Sequence, residues 1–249
     1  MSGHSKWSSI KHKKGAADAK RGKLFTKLAR AITVAARDGG GNIEANPALG
    51  LAVQKARDAS MPKDNIQRAI DRGTGEGADA AAIESVVYEG YGPGGAAILV
   101  EALTDNRNRT GSEVRHAFER HGGSLGEPNS VAWQFEKRGV ILVDGDRYGE
   151  DDLMPAIDAG AEDVAEDGDV LKVITGPGDL AAVRAAIEGA GVEVTSAELS
   201  MEPTSTVEVG DGDAPALLRL MDALEEHDDV DSVHANFDVA EDVLERAAG

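Results

Sequence analysis

Apolar side chains recur at a helical spacing in the first third of the chain. Between residues 16 and 38, Leu24, Leu28 and Ile32 follow one another at four-residue steps. This spacing places them on one face of a helix, and Gly39 ends the pattern. The pattern predicts a long first helix that packs through this apolar face.

Proline marks the start of two further helices. Asn46-Pro47 combines an N-cap residue with a first-turn proline, and Pro62 opens the next helix in the same way. The glycine-rich residues 73–80 end that helix and are predicted to be a linker. Residues 1–15 are polar and are predicted to form an extended arm. Residues 1–75 are therefore predicted to form a basic helical domain.

Beyond the linker, the apolar pattern becomes strand-like. Residues 85–92 and 96–104 predict two strands, and a helix is expected over 109–120. VAWQFE and GVILVD, within residues 131–144, predict a hairpin. From Gly139 onward the expected order is strand, helix, strand, strand, helix, strand, which is the ferredoxin-like order.

The predicted fold class is α+β multidomain, with an N-terminal helical bundle and two ferredoxin-like α/β domains. A strand over 204–209, a helix and a last strand follow the second α/β unit without partners of their own. We assign residues 80–130 and 203–249 to one split α/β domain, with residues 131–202 as an inserted α/β domain. A linear third domain is the alternative.

Charge divides the chain into two unlike parts. The net charge is −19, yet residues 1–72 hold 15 Lys and Arg against 6 Asp and Glu. Residues 73–249 hold 11 and 39 of these residues, respectively. Such an asymmetry indicates that the basic part contacts a polyanion or a membrane surface, and the acidic part is interpreted as a solvated surface.

The basic arm and the first helix supply the candidate nucleic-acid ligands. Lys and Arg on a helix face neutralise phosphates and release bound counterions, whatever the base sequence. Trp7 either stacks on an unpaired base or packs the arm onto the helices, and both interpretations stay open. The candidates from this region are His4, Lys6, Trp7, Lys11, Lys13, Lys14, Lys20, Arg21, Lys23, Lys27 and Arg30.

A second candidate is the TDNRNRT segment at residues 104–110. Arg107 and Arg109 lie between a strand end and a helix start inside the acidic part of the chain. Together with the helix N-terminus they suit a phosphate or a carboxylate, and Asn106 suits the helix cap. Salt bridges to acidic residues of the same domain are the alternative.

The sequence contains no convincing catalytic, metal or cofactor motif. There are no cysteines, and the six histidines lack a metal-ligand spacing. The G-x-G-x-x-G at residues 90–95 joins two predicted strands, and the G-x-S-x-G at 122–126 follows a helix, so neither has the context its chemistry requires. We therefore expect a protein that is not an enzyme and needs no cofactor.

Membrane insertion and secretion are not indicated. No run approaches the roughly 18 apolar residues of a membrane helix. The basic N-terminus lacks the apolar segment of a signal peptide. A cytoplasmic location without membrane contact is expected.

Several long segments, in order, resemble the YebC/PmpR family. They are GHSKWSSIKHKKGAADAKRGKLFTKLAR, NPALGLAVQKA, MPKDNIQRAI, YEGYGPGG, LTDNRNRT followed by EVRHAF, and GGSLGEPNSVAWQF. The resemblance runs from near residue 3 to the C-terminal helix. It departs at His234, where the family commonly has Tyr.

This resemblance implies three domains around a cleft, with the third inserted in the second. It also implies DNA binding and regulation of transcription, while other members are linked to mitochondrial translation, to ribosomes and to the synthesis of proline-rich stretches. Three hypotheses are open: a DNA-binding transcription regulator, a translation factor bound to structured RNA or the ribosome, and a protein-interaction scaffold. An arm with one Trp and a basic helix face suit irregular RNA slightly better than a regular duplex.

Overall fold

The computed structural model describes residues 18–75, 83–240 and 243–244, with side chains from residue 21. Its helices are α1 (Asp18–Gly39), α2 (Pro47–Asp58), α3 (Lys63–Gly73), α4 (Arg107–Arg120), α5 (Met154–Asp158), α6 (Leu180–Gly189) and α7 (Ala214–Glu225). Its strands are β1 (Glu84–Tyr91), β2 (Ala97–Thr104), β3 (Ser124–Leu125), β4 (Phe135–Asp144), β5 (Ala161–Asp167), β6 (Val170–Thr175), β7 (Val194–Pro203), β8 (Val207–Glu208), β9 (Val230–Ala235) and β10 (Phe237–Asp238).

The described residues cluster into two compact units. The larger unit contains residues 18–132 and 209–233, and the smaller unit contains residues 133–208 and those from 234 onward. The N-terminal helices therefore belong to the same unit as β1 and β2. Together the units have N-terminal helices and two four-stranded sheets.

Three helices at the start of the larger unit share one apolar core. Leu28 and Ile32 of α1 are buried there with Leu49 of α2 and Ile70 of α3, as the helical spacing predicted. Leu24 is the exception, since 41% of its surface is exposed. The prediction that it belongs to the packing face is wrong, because in this turn of α1 it is the neighbouring Phe25 that packs against the core formed with α2 and α3.

Local capping explains where α2 begins. The Asn46 side chain accepts a hydrogen bond from the Leu49 N–H at 3.1 Å, and Pro47 occupies the first turn. The same side chain donates to the carbonyls of Ala35 and Gly40, each at 2.8 Å. The predicted cap is confirmed, and it also ties α2 to the end of α1.

The sheet of the larger unit has the strand order β3-β1-β2-β9. β1 and β2 form an antiparallel hairpin in which Glu84 pairs with Thr104 and Tyr91 with Ala97. Their connection contains Gly94 and Gly95 at φ of 73° and 80°, a backbone conformation that favours glycine. The interpretation of the glycine-rich residues 90–95 as a hairpin connection is confirmed.

The smaller unit contains an antiparallel sheet in the order β5-β6-β4-β7. Its elements follow the expected sequence of strand, helix, strand, strand, helix and strand. The hairpin expected over residues 131–144 is wrong, because β4 runs without a turn from Phe135 to Asp144. Gly139 lies inside β4, paired with Thr175 on one side and Leu199 on the other. It provides space for a close approach, not for a turn.

Among the described residues, no helix is both long enough and apolar enough to cross a membrane.

Candidate nucleic-acid interface

The predicted cationic face of α1 contacts an acidic segment of the same unit. Lys27 Nζ donates to the carbonyl oxygen of Glu225 at 2.5 Å, and Lys23 Nζ lies 3.6 Å from a carboxylate oxygen of Asp228. Arg30 donates to the carbonyl oxygen of Asp228 at 2.9 Å. Part of the positive charge on α1 is therefore balanced within the chain, by residues about 200 positions away in sequence.

Lys27 differs from Lys23 in its environment. Burial lowers the pKa of the Lys27 ammonium group, and the nearby carboxylates of Asp231, Glu225 and Asp228 offset this only in part. Lys23 and Arg21 are exposed. Of the four candidate cations described on α1, Arg21 and Lys23 therefore face solvent more than Lys27 and Arg30 do.

Asp229 joins the two basic features that the sequence presented separately. Its carboxylate, buried with 4% of its side chain exposed, accepts from Arg30 of α1 at 2.5 Å and from Arg109 of α4 at 2.6 Å. Thr110 Oγ1 donates to the same carboxylate at 2.7 Å. Burial alone would raise the pKa of Asp229, but these donors lower it from 3.8 to about 2. The carboxylate is therefore ionised in the folded chain.

Arg109 and Arg107 have different environments, although both belong to the TDNRNRT segment. Arg109 also pairs with Asp105 at 3.0 Å, so its charge is matched by two acidic residues of its own unit. Arg107 is exposed, and its guanidinium forms no hydrogen bond or ion pair with any residue that the structure describes. Asn106 caps α4 by accepting from the Arg109 N–H at 3.1 Å, as predicted. Of the two arginines, Arg107 is the one available to a ligand.

A groove between α1 and α3 brings further arginines beside Arg30. It encloses about 680 Å³, and its lining includes Arg30, Arg68 and Arg72. Arg68 and Arg72 were not among the candidates predicted from the sequence. The four-residue spacing of Arg68 and Arg72 puts both on one side of α3 and could have identified them as a pair. A simple charge count misses them, because Asp64 and Asp71 on the same helix cancel their positive charge.

One cluster in the larger unit has the spacing of a metal site. It brings three possible ligand atoms within 4.8 Å of one another, from Glu113, His227 and Asp229. His227 Nε2 lies 2.8 Å from a carboxylate oxygen of Glu113. Asp229, however, already contacts two guanidinium groups, which would repel a metal cation at this position. The arrangement suits an internal ion-pair network better than a metal centre.

Two family models together match most of the chain. The TACO1/YebC protein N-terminal domain matches residues 5–76, and the TACO1/YebC second and third domain matches residues 83–237. The chain belongs to the TACO1/YebC family. The resemblance to YebC/PmpR that the sequence motifs indicated is thereby confirmed.

Relatives in the TACO1/YebC family match this chain over nearly its full length. A protein of Rubrobacter xylanophilus is 61% identical over 250 residues, covering 100% of both chains, and one of Pelotomaculum thermopropionicum is 54% identical over 242 residues, covering 96% of this chain and 99% of its own. Both are named probable transcriptional regulatory proteins. The crystal structure of a conserved hypothetical protein from Aquifex aeolicus matches with a TM-score of 0.83 and 47% identity, covering 90% of this chain and 93% of that one.

Several of the predicted ligands lie outside the described residues. These are His4, Lys6, Trp7, Lys11, Lys13 and Lys14, together with the side chain of Lys20. Their proposed contacts with nucleic acid stay predictions. Within the described part of α1, Arg21, Lys23, Lys27 and Arg30 are the candidates that the structure places.

His234, the position at which the sequence departs from the resemblance, is a buried residue of the smaller unit. Its Nδ1 lies 3.4 Å from both Ser200 Oγ and the Met201 N–H. Only 5% of its surface is exposed. The position therefore has a packing environment and not that of a surface ligand.

Proposed function

We propose that the chain is a non-enzymatic regulator of gene expression that binds nucleic acid mainly through its basic N-terminal region, with Arg107 as a further contact. One observation carries the proposal: Arg68 and Arg72, which have no acidic partner among the described residues, line a single groove in the region that holds 15 of the chain's 26 Lys and Arg residues. Guanidinium groups bind phosphates through paired N–H donors. The rest of the chain is acidic and would be repelled by a polyanion.

Structured RNA is the partner that we favour. α3 carries Asp64 and Asp71 beside its arginines, which makes it a poor reader of base edges in a DNA major groove. Lys23 and Lys27 of α1 contact an acidic segment of the chain, whereas Arg107, which has no ion-pair partner among the described residues, lies on α4. Dispersed contacts of this kind suit an irregular phosphate surface such as that of folded RNA, and they support our proposal of a role in translation.

Transcription regulation through DNA is the second candidate. The printed names of the relatives support it, since they are probable transcriptional regulatory proteins. Binding of DNA would then use the same cations, with less dependence on base sequence.

The experiment that separates these candidates is crosslinking in growing cells, followed by sequencing of the recovered RNA and DNA. We expect ribosomal RNA to be enriched, and Arg107→Ala to reduce its recovery more than Arg57→Ala. Arg57 is an exposed arginine on α2 and serves as the control for loss of one charge. Reproducible promoter fragments without ribosomal RNA would establish the transcription regulator instead.

A further inference from the structure

We infer that the groove between α1 and α3 holds one nucleotide of a single-stranded nucleic acid, with its phosphate on Arg68 and Arg72 and its base against Phe25. This inference rests on the proposed function and assigns it a specific site. The groove, of about 680 Å³, is lined by Phe25, Arg30, Met61, Asn65, Arg68 and Arg72 among others. Its volume lies within the roughly 300–1,000 Å³ typical of sites for small ligands.

Two of the arginines keep an unbalanced positive charge. Arg68 donates from Nε to the Asp64 carbonyl oxygen at 3.1 Å and from Nη2 to the side-chain oxygen of Asn65, so both of its acceptors are neutral groups. Arg72 is exposed and has no hydrogen bond or ion pair with any residue described by the structure. These two groups can therefore bind a phosphate without first breaking an ion pair.

The other charges at the groove are already matched. Arg30 bonds to Asp229, and Asp105, a carboxylate in the lining, pairs with Arg109. Asp105 is therefore not a free negative charge opposite an incoming phosphate. The charge available at this groove is that of Arg68 and Arg72.

Apolar groups beside these arginines indicate that more than a phosphate is bound. Phe25 is half-buried, and Ala29, Met61 and Ala69 lie with it along the groove. An aromatic ring next to guanidinium groups suits a base that has left its stack. In a duplex, the faces of the bases are stacked and only their edges reach the grooves, so no base is free to lie against Phe25, and a single strand fits this lining better.

The test compares two double variants of the full-length chain that each lose two positive charges. Arg68→Gln with Arg72→Gln alters the groove. Arg57→Gln with Lys63→Gln removes two exposed charges from the same helical region outside the groove lining. Binding to a labelled ten-nucleotide single-stranded RNA, the same single-stranded DNA and the corresponding duplex is measured by fluorescence anisotropy over a range of salt concentrations.

We expect the groove variant to bind single-stranded RNA about tenfold more weakly, and the control variant to lose about threefold or less. The log–log salt slope of the groove variant should fall by about 1.4, which corresponds to two phosphate contacts on a single strand. Phe25→Leu should weaken single-strand binding without changing the slope. Thermal unfolding of each variant checks that its fold is intact. Comparison of the single-stranded RNA with the single-stranded DNA shows whether the affinity depends on the sugar.

Two results would overturn the inference while leaving the proposed function in place. One is an equal loss of affinity in both double variants, which would indicate a diffuse charge effect. The other is an equal loss for duplex and single strand, which would indicate phosphate contact without a bound base. If the unmodified chain bound none of the probes, the proposed function would fail together with the inference.

Discussion

The carboxylate of Asp229 receives donors from elements far apart in sequence. Arg30 of α1, Arg109 and Thr110 of α4 all bond to it, and Asp229 itself follows α7. A buried carboxylate is tolerated because several donors replace the water that it has lost. Its positive partners, Arg30 and Arg109, are two of the residues that the sequence alone offered as phosphate ligands. In the folded chain, both instead form ion pairs with Asp229 that stabilise the larger unit.

We predict that Asp229 makes stability depend on acid pH. Its folded pKa of about 2 lies below the usual 3.8, so its ionised form stabilises the fold above pH 3.8, and this contribution is lost as the pH falls toward 2. The shift corresponds to about 2 kcal/mol. The difference in unfolding free energy between the unmodified chain and Asp229→Asn should therefore shrink by about 2 kcal/mol from pH 6 to pH 2, as measured by denaturant titration.

Asp163→Asn is the control for this prediction, since Asp163 is an exposed aspartate on β5. The same chemical change there should leave a difference that varies much less over this pH range. A difference for Asp229→Asn that stays constant with pH would show that its ionisation does not stabilise the fold.

At the scale of elements, β4 shows how a glycine inside a strand can be misinterpreted. A Cβ atom at Gly139 would lie 2.2 Å from Thr175 Oγ1 and 3.0 Å from the Cβ of Leu180. Glycine is therefore required where β4 passes close to β6 and α6. From sequence alone, the segments VAWQFE and GVILVD, the second of which begins at Gly139, suggested a hairpin instead of one continuous strand.

We predict that Gly139→Ala destabilises the chain by about 1–3 kcal/mol, because the added methyl group overpacks a filled site. Gly189→Ala is the matched control. Gly189 ends α6, and an added Cβ there meets nothing within 4 Å. That control should be neutral or stabilising by up to about 1 kcal/mol. Equal unfolding midpoints in urea for the two variants would contradict the close-packing explanation.

Helix starts and turns could be predicted from the sequence where a few neighbouring residues determine them. The caps at Asn46 and Asn106 and the hairpin connection at residues 90–95 follow from a few neighbouring residues, and the structure confirms them. Pairing between Arg30 and Asp229 was not predictable, because 199 positions separate them and no local pattern links them. For the same reason the sequence did not place Arg68 and Arg72 in a groove, since that depends on how α3 packs against α1.

For the whole molecule, the division of charge sets how strongly the chain attracts a polyanion. Residues 1–72 hold 15 Lys and Arg against 6 Asp and Glu, while the chain carries −19 in total. Contacts of Lys23 and Lys27 with residues 225–228 reduce the charge that α1 offers to a ligand. Binding should therefore depend more on the basic residues before residue 21 than a count of lysines would indicate.

The last prediction tests whether the lysines before residue 21 contribute more to polyanion binding than Lys23 and Lys27 do. Changing Lys13, Lys14 and Lys20 to Gln should weaken binding to RNA and DNA of every sequence alike, because phosphate contacts do not read bases. The log–log salt slope of this triple variant should fall by about 2.1–2.7, at about 0.7–0.9 for each of the three contacts. Lys23→Gln with Lys27→Gln should lower the slope by less per lysine, since Lys27 donates to the Glu225 carbonyl and Lys23 lies beside Asp228. Anisotropy titrations on several unrelated sequences measure both slopes, and an equal decrease per lysine would mean that the acidic segment does not restrain α1 in solution.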